Sequence, residues 1–262
     1  MLEAGTLLPL MEAFYTIQGE GYHKGSAAYF IRVGGCDVGC HWCDVKESWN
    51  PKSHPPTMVD EIIKTAKKYS DTIVVTGGEP LIWNMDPLTE GLKSLDMKTH
   101  IETSGAYPLS GHWDWFCLSP KKNKLPTAEA FDKADELKMI IHNNDDFRFA
   151  KQQAEKVAPN CKLYLQPEWS KREKMMPLIV DYVMKNTQWK VSLQTHKYLN
   201  IPYSNGPDNP NFLPPKEGWF QAQPAVLFDL KGQNLHRAKE RYRYFFCIEH
   251  CMLVRHNIGR QV

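Results

Sequence analysis

The sequence has little net charge and no long hydrophobic run. Its 262 residues carry a formal charge of only +2, which gives no electrostatic reason to expect a nucleic acid or an anionic membrane as a partner. Every apolar run falls short of the roughly 18 residues that a membrane-spanning helix needs, and the first residues lack the basic segment of a signal peptide. We therefore expect a cytoplasmic protein that binds a small molecule, with no nucleic acid and no membrane.

A fourth cysteine is missing from the one cysteine cluster. Cys36, Cys40 and Cys43 lie close together, and no further cysteine follows nearby. A structural zinc site normally uses four protein ligands, whereas a four-iron cluster held by three thiolates leaves one iron open to a non-protein ligand. The odd total of 7 cysteines also fits reduced thiols better than a disulfide framework. The spacing favours a 4Fe-4S cluster, with a zinc site completed by His41 or a distant cysteine as the alternative.

Short β-branched or aromatic runs alternate with helical patterns and loops. The runs predict buried parallel strands at residues 28–33, 72–76, 99–102, 115–118, 137–141, 162–166 and 189–194. Helices are expected at residues 57–68, 86–95, 145–158 and 170–185, with Thr57 and Asp60 as candidate caps of the first and Pro87 suited to the start of the second. Little room is left for crossover helices between residues 102 and 137. We therefore expect an α/β fold, an incomplete TIM-like βα barrel.

The character of the sequence changes after Pro202. Residues 203–215 are rich in proline, asparagine and glycine, which is typical of a linker. We expect a core domain at residues 1–202 and a linker with a C-terminal appendage of unknown role at residues 203–262.

Polar clusters follow several of the expected strands. In parallel βα architectures the carboxyl ends of the strands share one face, and ligands bind there. We therefore expect these clusters to line one cavity. They are Thr76–Pro80, Glu102–Gly105, Ser119–Lys121, Gln166–Trp169 and Gln194–Lys197.

The cluster formed by Gly77, Gly78, Glu79 and Pro80 offers accessible backbone groups and a carboxylate suited to an α-ammonium group. Together with the three-cysteine segment upstream, it resembles the radical S-adenosylmethionine superfamily. In that superfamily the amino and carboxylate groups of S-adenosylmethionine chelate the open iron. The resemblance implies a 4Fe-4S cluster and S-adenosylmethionine as cofactors.

A more specific resemblance covers about Leu10 to Pro202. Residues 14–21, Arg32, Cys43 with Asp44, residues 119–121 and residues 194–200 resemble the family of 7-carboxy-7-deazaguanine synthases. This implies a radical lyase that converts 6-carboxy-5,6,7,8-tetrahydropterin to 7-carboxy-7-deazaguanine with loss of ammonia, a step in queuosine biosynthesis. It also implies an electron donor such as flavodoxin or ferredoxin, and a homodimer.

The resemblance assigns site residues position by position. Arg32 suits the substrate carboxylate because its guanidinium fork can bond both oxygens, and Glu102 and Ser104 suit the ribose diol. The substrate residues are Ile17, Gln18, Gly19, Glu20, Arg32, Thr76, His196 and Pro202. Those for S-adenosylmethionine are Trp42, Cys43, Asp44, Gly78, Glu79, Glu102, Ser104, Ser119, Pro120, Lys121, Gln166, Pro167, Glu168 and Trp169.

Several alternatives stay open. Glu20 could be a solvated turn carboxylate, and His196 a histidine satisfied at a strand end. The chain could also activate a glycyl-radical enzyme, against which Gln18 to Gly21 argues, or be a zinc-stabilised binding protein. Magnesium is a further open point, because related enzymes often place a threonine ligand where this chain has Val45. Valine offers no oxygen, so magnesium would bind through Asp44, substrate and water.

Overall fold

The computed structural model describes residues 2–199 and 201. Pro202 and the expected appendage at residues 203–262 lie outside the described residues. The helices in the described part are α1 (Val59–Ala66), α2 (Asp86–Lys93), α3 (Ala128–Lys133), α4 (Asp145–Ala154), α5 (Arg172–Lys185) and α6 (Thr195–Tyr198). None of these helices is long and apolar enough to cross a membrane.

The strands form one mostly parallel sheet. They are β1 (Leu7–Ile17), β2 (Ala27–Val33), β3 (Pro56–Met58), β4 (Thr72–Gly77), β5 (Lys98–Thr103), β6 (Trp115–Leu118), β7 (Glu136–Ile141), β8 (Lys162–Pro167) and β9 (Trp189–Val191). Their spatial order is β3-β1-β2-β4-β5-β6-β7-β8-β9. Neighbouring strands from β2 to β9 are parallel, whereas β1 is antiparallel to both β2 and β3. The α/β class and the incomplete barrel are confirmed.

Alternate residues of the strands face opposite sides of the sheet. In β7, Leu137, Met139 and Ile141 belong to the hydrophobic core that also contains buried residues of α3, α4 and α5. Lys138 and Ile140, between them, line an interior cavity instead. This period of two is the geometry of a strand. The helices therefore cover an apolar outer face, and the inner face is left for polar side chains.

The sheet does not close by strand pairing between β9 and β1. Residues after β9 instead bond to residues 18–26, which we call the β1–β2 loop. The Gly21 N–H donates to the Ser192 hydroxyl at 2.9 Å, and the Thr195 N–H donates to the Gly19 carbonyl at 2.8 Å. Since β1 runs antiparallel to β2, this loop lies at the N-terminal end of the parallel strands and forms a floor beneath the interior.

Some local predictions were wrong. β1, β3, α3 and α6 were not predicted, and the last predicted strand is shorter than expected, ending at Val191. Helix α1 begins at Val59 without a side-chain cap, because the Thr57 hydroxyl donates to the Pro55 carbonyl at 3.2 Å and Asp60 already lies in the first turn. Helices α1, α2 and α4 also end earlier than the sequence pattern indicated.

Candidate functional site

One cavity of about 330 Å³ occupies the barrel interior. It extends from loops at the carboxyl ends of β2, β4, β5, β6 and β8 down to the β1–β2 loop. Its size lies in the usual range for small-molecule sites, roughly 300–1,000 Å³. The polar clusters that follow the strands therefore share one site, as the sequence predicts.

Residues 34–43, the cysteine loop, follow β2 and place Cys36, Cys40 and Cys43 on the cavity wall. Gly35 and Gly39 have φ angles of 103° and 69°, a conformation that favours glycine. The loop is anchored from outside, since the Trp83 indole N–H donates to the Gly34 carbonyl at 2.8 Å. Burial raises the pKa of the Cys36 and Cys40 thiols.

The three cysteines line the cavity from one loop. No group of three or more histidine, cysteine or acidic side chains among the described residues could hold one metal ion. A tetrahedral zinc site needs four ligands within bonding distance of one centre. Three thiolates are the number of protein ligands that leaves one iron of a 4Fe-4S cluster open.

The turn after β4 packs directly against the cysteine loop. The Gly78 N–H donates to the Val33 carbonyl and the Glu79 N–H to the Gly35 carbonyl, both at 2.8 Å. A β-carbon on Gly78 would lie 2.2 Å from the Gly35 carbonyl oxygen and 3.0 Å from the Cys36 β-carbon. Only glycine permits this close approach. The two motifs of the predicted cofactor site therefore form one unit.

Glu79 fastens this turn to the end of β5. One carboxylate oxygen accepts hydrogen bonds from the Thr103 hydroxyl at 2.5 Å and the Leu81 N–H at 3.1 Å. The other accepts from the N–H and the hydroxyl of Ser104, at 2.8 and 2.5 Å. Glu79 as a whole residue is only 1% exposed to solvent. Glu79 therefore fixes the turn, and its contact with an ammonium group stays a prediction.

A buried lysine lies deeper in the cavity, near the floor. The Lys138 ammonium group donates to Glu20 at 2.7 Å and to Glu102 at 2.5 Å. The Gln18 amide donates to Glu102 at 3.1 Å, and the Gln194 amide donates to Glu20 at 2.9 Å. Glu20 is therefore not the solvated turn carboxylate of the alternative interpretation. These five residues form what we call the floor network.

The charges of the floor network stabilise one another. Burial opposes ionisation of Glu20, but the charge and hydrogen bond of Lys138 and the hydrogen bond of Gln194 outweigh it and lower the pKa of Glu20 to about 2. Burial likewise opposes the charge of Lys138, yet the carboxylates of Glu102 and Glu20 raise its pKa well above the usual value. The network therefore holds ionised groups inside the barrel at neutral pH.

Arg32 lines the cavity from β2. Its Nε donates to the Glu12 carboxylate at 2.7 Å, across the paired strands β1 and β2. Among the described residues, no hydrogen bond engages its two terminal nitrogens. The carboxylate partner fixes the stem of the guanidinium, and the binding of an anionic ligand at its outer edge stays a prediction.

Aromatic and basic side chains form the upper wall. The Lys121 ammonium group donates to the Ser119 hydroxyl at 2.7 Å and lies 5.7 Å from the centre of the Trp42 ring. Burial lowers the pKa of Lys121. The Trp169 ring faces the guanidinium of Arg172 at 4.4 Å. The Lys197 ammonium group lies 4.7 Å from the centre of the Trp169 ring as well, so cation–π contacts order both rings.

Helix α6 packs against the floor through His196. A β-carbon on Gly19 would lie 2.0 Å from Nδ1 of His196, so glycine is required for this contact. His196 lines the cavity from a helix rather than from a strand end. Burial lowers its pKa.

Asp44 and Val45 do not form a magnesium site. The ammonium group of Lys197, on α6, lies 3.2 Å from the Asp44 carboxylate. A cation already lies against this exposed carboxylate, and Val45 supplies no oxygen, whereas magnesium requires a shell of oxygen ligands. The residues present therefore do not fit a magnesium ion at this position.

Most of the predicted site residues meet at this cavity. Pro120 is buried but does not line it, although its neighbours Ser119 and Lys121 do. Pro202 lies outside the described residues. The predicted residues that line it are Ile17, Gln18, Gly19, Glu20, Arg32, Cys36, Cys40, Trp42, Cys43, Asp44, Thr76, Gly78, Glu79, Glu102, Ser104, Ser119, Lys121, Gln166, Pro167, Glu168, Trp169 and His196.

Sequence reasoning missed Lys138, together with the apolar lining residues Phe14, Phe30, Trp49 and Ile140. The sequence did contain a signal for Lys138, which is a lysine inside a predicted strand that is otherwise apolar. Lysine is almost never fully buried without a partner, so this position indicated a buried ion pair. The identity of that partner could not be read from the sequence.

Comparisons with known proteins agree with this geometry. Residues 30–141 match the family described as the Radical SAM superfamily. A 7-carboxy-7-deazaguanine synthase of Flavobacterium psychrophilum is 69% identical over 201 residues, covering 77% of this chain and 96% of the relative. A synthase of the same name from Synechocystis is 47% identical, covering 74% and 93%. The crystal structure of QueE from Escherichia coli is similar with a TM-score of 0.67 at 27% identity, covering 74% of this chain and 97% of that one.

Proposed function

The chain belongs to the 7-carboxy-7-deazaguanine synthase family of radical S-adenosylmethionine enzymes, and from that premise we propose how its residues carry the reaction. The reaction converts 6-carboxy-5,6,7,8-tetrahydropterin to 7-carboxy-7-deazaguanine with loss of ammonia. The observation that carries the proposal is one cavity in which the cysteine loop and the Gly77–Glu79 turn lie above Arg32 and the floor network. The upper part suits the cofactors and the lower part a small polar substrate.

The upper part holds the cofactors. Cys36, Cys40 and Cys43 would ligate a 4Fe-4S cluster, and the turn at Gly78 would present its backbone to S-adenosylmethionine. When bound, these cofactors supply the deoxyadenosyl radical that takes a hydrogen atom from the substrate. Glu102, although part of the floor network, is proposed for the ribose of S-adenosylmethionine. The remaining residues proposed for this cofactor are Trp42, Asp44, Glu79, Ser104, Ser119, Lys121, Gln166, Pro167, Glu168 and Trp169.

The lower part orients the substrate. The terminal nitrogens of Arg32 would bind its carboxylate in a bidentate manner, while Glu20 would accept hydrogen bonds from the N–H groups of the pterin ring. Gln18 and the Thr76 hydroxyl would complete these contacts, and Gly19 lets His196 approach from α6. Because the cavity is enclosed below by the β1–β2 loop, the residues there also exclude water from the reacting carbon.

An anaerobic assay tests this proposal. Enzyme reconstituted with iron and sulfide, then supplied with carboxytetrahydropterin, S-adenosylmethionine and a reductant, is expected to form 7-carboxy-7-deazaguanine, detected by mass spectrometry. Arg32→Met should raise the KM for the pterin by about tenfold or more, because a charge-assisted bidentate contact is lost. The matched control is Arg148→Met on the exposed face of α4. Cluster-loaded wild-type enzyme that forms no deazaguanine would exclude the assignment.

Four finer points belong to the same proposal. The odd number of cysteines and the cluster of three support a cytoplasmic location. Flavodoxin or ferredoxin would supply the electron. Residues 1–202 would form the catalytic domain, with residues 203–262 as an appendage. The protein would act as a homodimer, which analytical ultracentrifugation under anaerobic conditions can measure.

A further inference from the structure

Lys138 is shared by two carboxylates that serve different ligands in the proposed function. Lys138 is 4% exposed to solvent. Among the described residues, its ammonium group hydrogen-bonds only to the side chains of Glu20 and Glu102. Glu20, in the β1–β2 loop, accepts from the Gln194 amide, whereas Glu102 projects from β5, which leads into Ser104, and accepts from the Gln18 amide. One cation therefore joins a residue proposed for the substrate to a residue proposed for S-adenosylmethionine.

We propose that Lys138 is a positioning residue that serves both binding reactions, holding Glu20 toward the substrate and Glu102 toward the ribose of S-adenosylmethionine. The inference rests on the proposed function and deepens it. Each carboxylate oxygen bonded to Lys138 keeps a second lone pair for a ligand. A neutral residue at this position would leave two carboxylates facing each other in a buried space, where one of them would take up a proton.

The surroundings of Lys138 support this charge balance. The apolar face of β7 turns outward through Leu137 and Met139, so Lys138 points into the interior with Ile140. The two carboxylates exceed the single ammonium by one negative charge, which suits a ligand edge rich in N–H and O–H donors. Other titratable groups facing Lys138 and its two carboxylates are His23 in the β1–β2 loop, Cys117 on β6, Lys121 after β6, Glu136 on β7 and His196 on α6.

Equilibrium binding without reductant separates this role from turnover. The dissociation constants of carboxytetrahydropterin and S-adenosylmethionine are measured by anaerobic calorimetry on the reconstituted enzyme. Lys138→Met should weaken both ligands by about tenfold or more, the range expected when hydrogen bonds to charged groups are lost. Glu20→Gln should weaken the pterin alone, and Glu102→Gln should weaken S-adenosylmethionine alone. The control Lys151→Met, exposed on α4, should change neither.

The pH dependence distinguishes positioning from general structural damage. In wild-type enzyme both constants should be flat between about pH 6.5 and 8.5, because the pKa of Lys138 is raised well above its usual value and its ammonium group stays bonded to both carboxylates. In Lys138→Met both ligands should bind more tightly as the pH rises, because burial raises the pKa of a carboxylate that has lost its cation. The proposal would be overturned if the dissociation constants of Lys138→Met equal those of wild type. It would also be overturned if they are raised by the same factor at every pH. Wild-type enzyme that binds no carboxytetrahydropterin would instead refute the proposed function.

A second variant covers failure of Lys138→Met to fold, which thermal unfolding reports. Lys138→Met combined with Glu20→Gln removes one charge of each sign and leaves Glu102 as the carboxylate without its cation. S-adenosylmethionine should then bind more tightly as the pH rises, with pterin binding weak throughout. A pH-independent affinity for S-adenosylmethionine in this double variant would contradict the role of Lys138.

Discussion

Replacing Glu79 by glutamine removes a charge without changing shape, and the structure predicts a large loss of stability. Each carboxylate oxygen accepts one bond from a backbone N–H, that of Leu81 at 3.1 Å or that of Ser104 at 2.8 Å. The amide nitrogen of glutamine must take the place of one oxygen. In either orientation of the glutamine amide, its NH2 group therefore faces a backbone N–H that needs an acceptor. The hydroxyls of Thr103 and Ser104 can rotate and accept a hydrogen bond from the NH2 group, but a backbone N–H cannot.

The expected cost can be worked from these contacts. A hydrogen bond to a charged group contributes about 1.5–3 kcal/mol, and an unsatisfied buried donor costs about 1–3 kcal/mol. Because both effects arise at the same N–H group, we expect Glu79→Gln to lower the free energy of unfolding by about 2–4 kcal/mol rather than by their full sum.

Urea unfolding of cluster-loaded protein measures this difference at the transition midpoint. The matched control is Glu90→Gln on the exposed face of α2, which should change stability by no more than about 0.5 kcal/mol. A change at Glu79 that is as small as the change at the control would refute the reasoning, since it would mean that the buried carboxylate is not held by these bonds. Loss of S-adenosylmethionine binding without loss of stability would assign Glu79 to the ligand instead.

Three further predictions follow from the same contacts. Alanine at any of the three cysteines of the cysteine loop should abolish the brown absorbance of the reconstituted cluster, whereas Cys161→Ala, outside the cavity, should retain it. Gly19→Ala should displace His196, because the added β-carbon would lie 2.0 Å from its ring. The KM for the pterin should rise by about tenfold or more, with a smaller effect on the KM for S-adenosylmethionine. Equal KM values in variant and wild type would contradict the contact. Activity in magnesium-free buffer should equal activity with added magnesium, because Lys197 occupies the Asp44 carboxylate; an absolute magnesium requirement in steady-state assays would show that a site forms elsewhere.

Elements with strong local patterns were predictable. The parallel strands that form the barrel are mostly short β-branched or aromatic runs, so their positions follow from residue type. β1 was missed because most of its residues are only half-buried and do not alternate cleanly. α6 was missed because it has four residues, too few for a helical period to show.

Local spacing also determined the predicted cofactor residues, whereas the pairing of distant charges depended on topology. Glu12 meets Arg32 only through the register of β1 with β2. That pairing explains why the stem of Arg32 is fixed while its outer edge is left for a ligand.

The sequence by itself determined the class of chemistry, because the three cysteines and the Gly77–Glu79 turn are short segments whose ligand atoms are set by neighbouring residues. Only the tertiary structure decided which charges meet. Lys138 joins Glu20 across 118 residues, and Lys197 joins Asp44 across 153. The physical reason is that a charge can enter a barrel interior only with a partner, and which partner is close enough depends on strand order, on the β1–β2 loop beneath the sheet and on the position of α6.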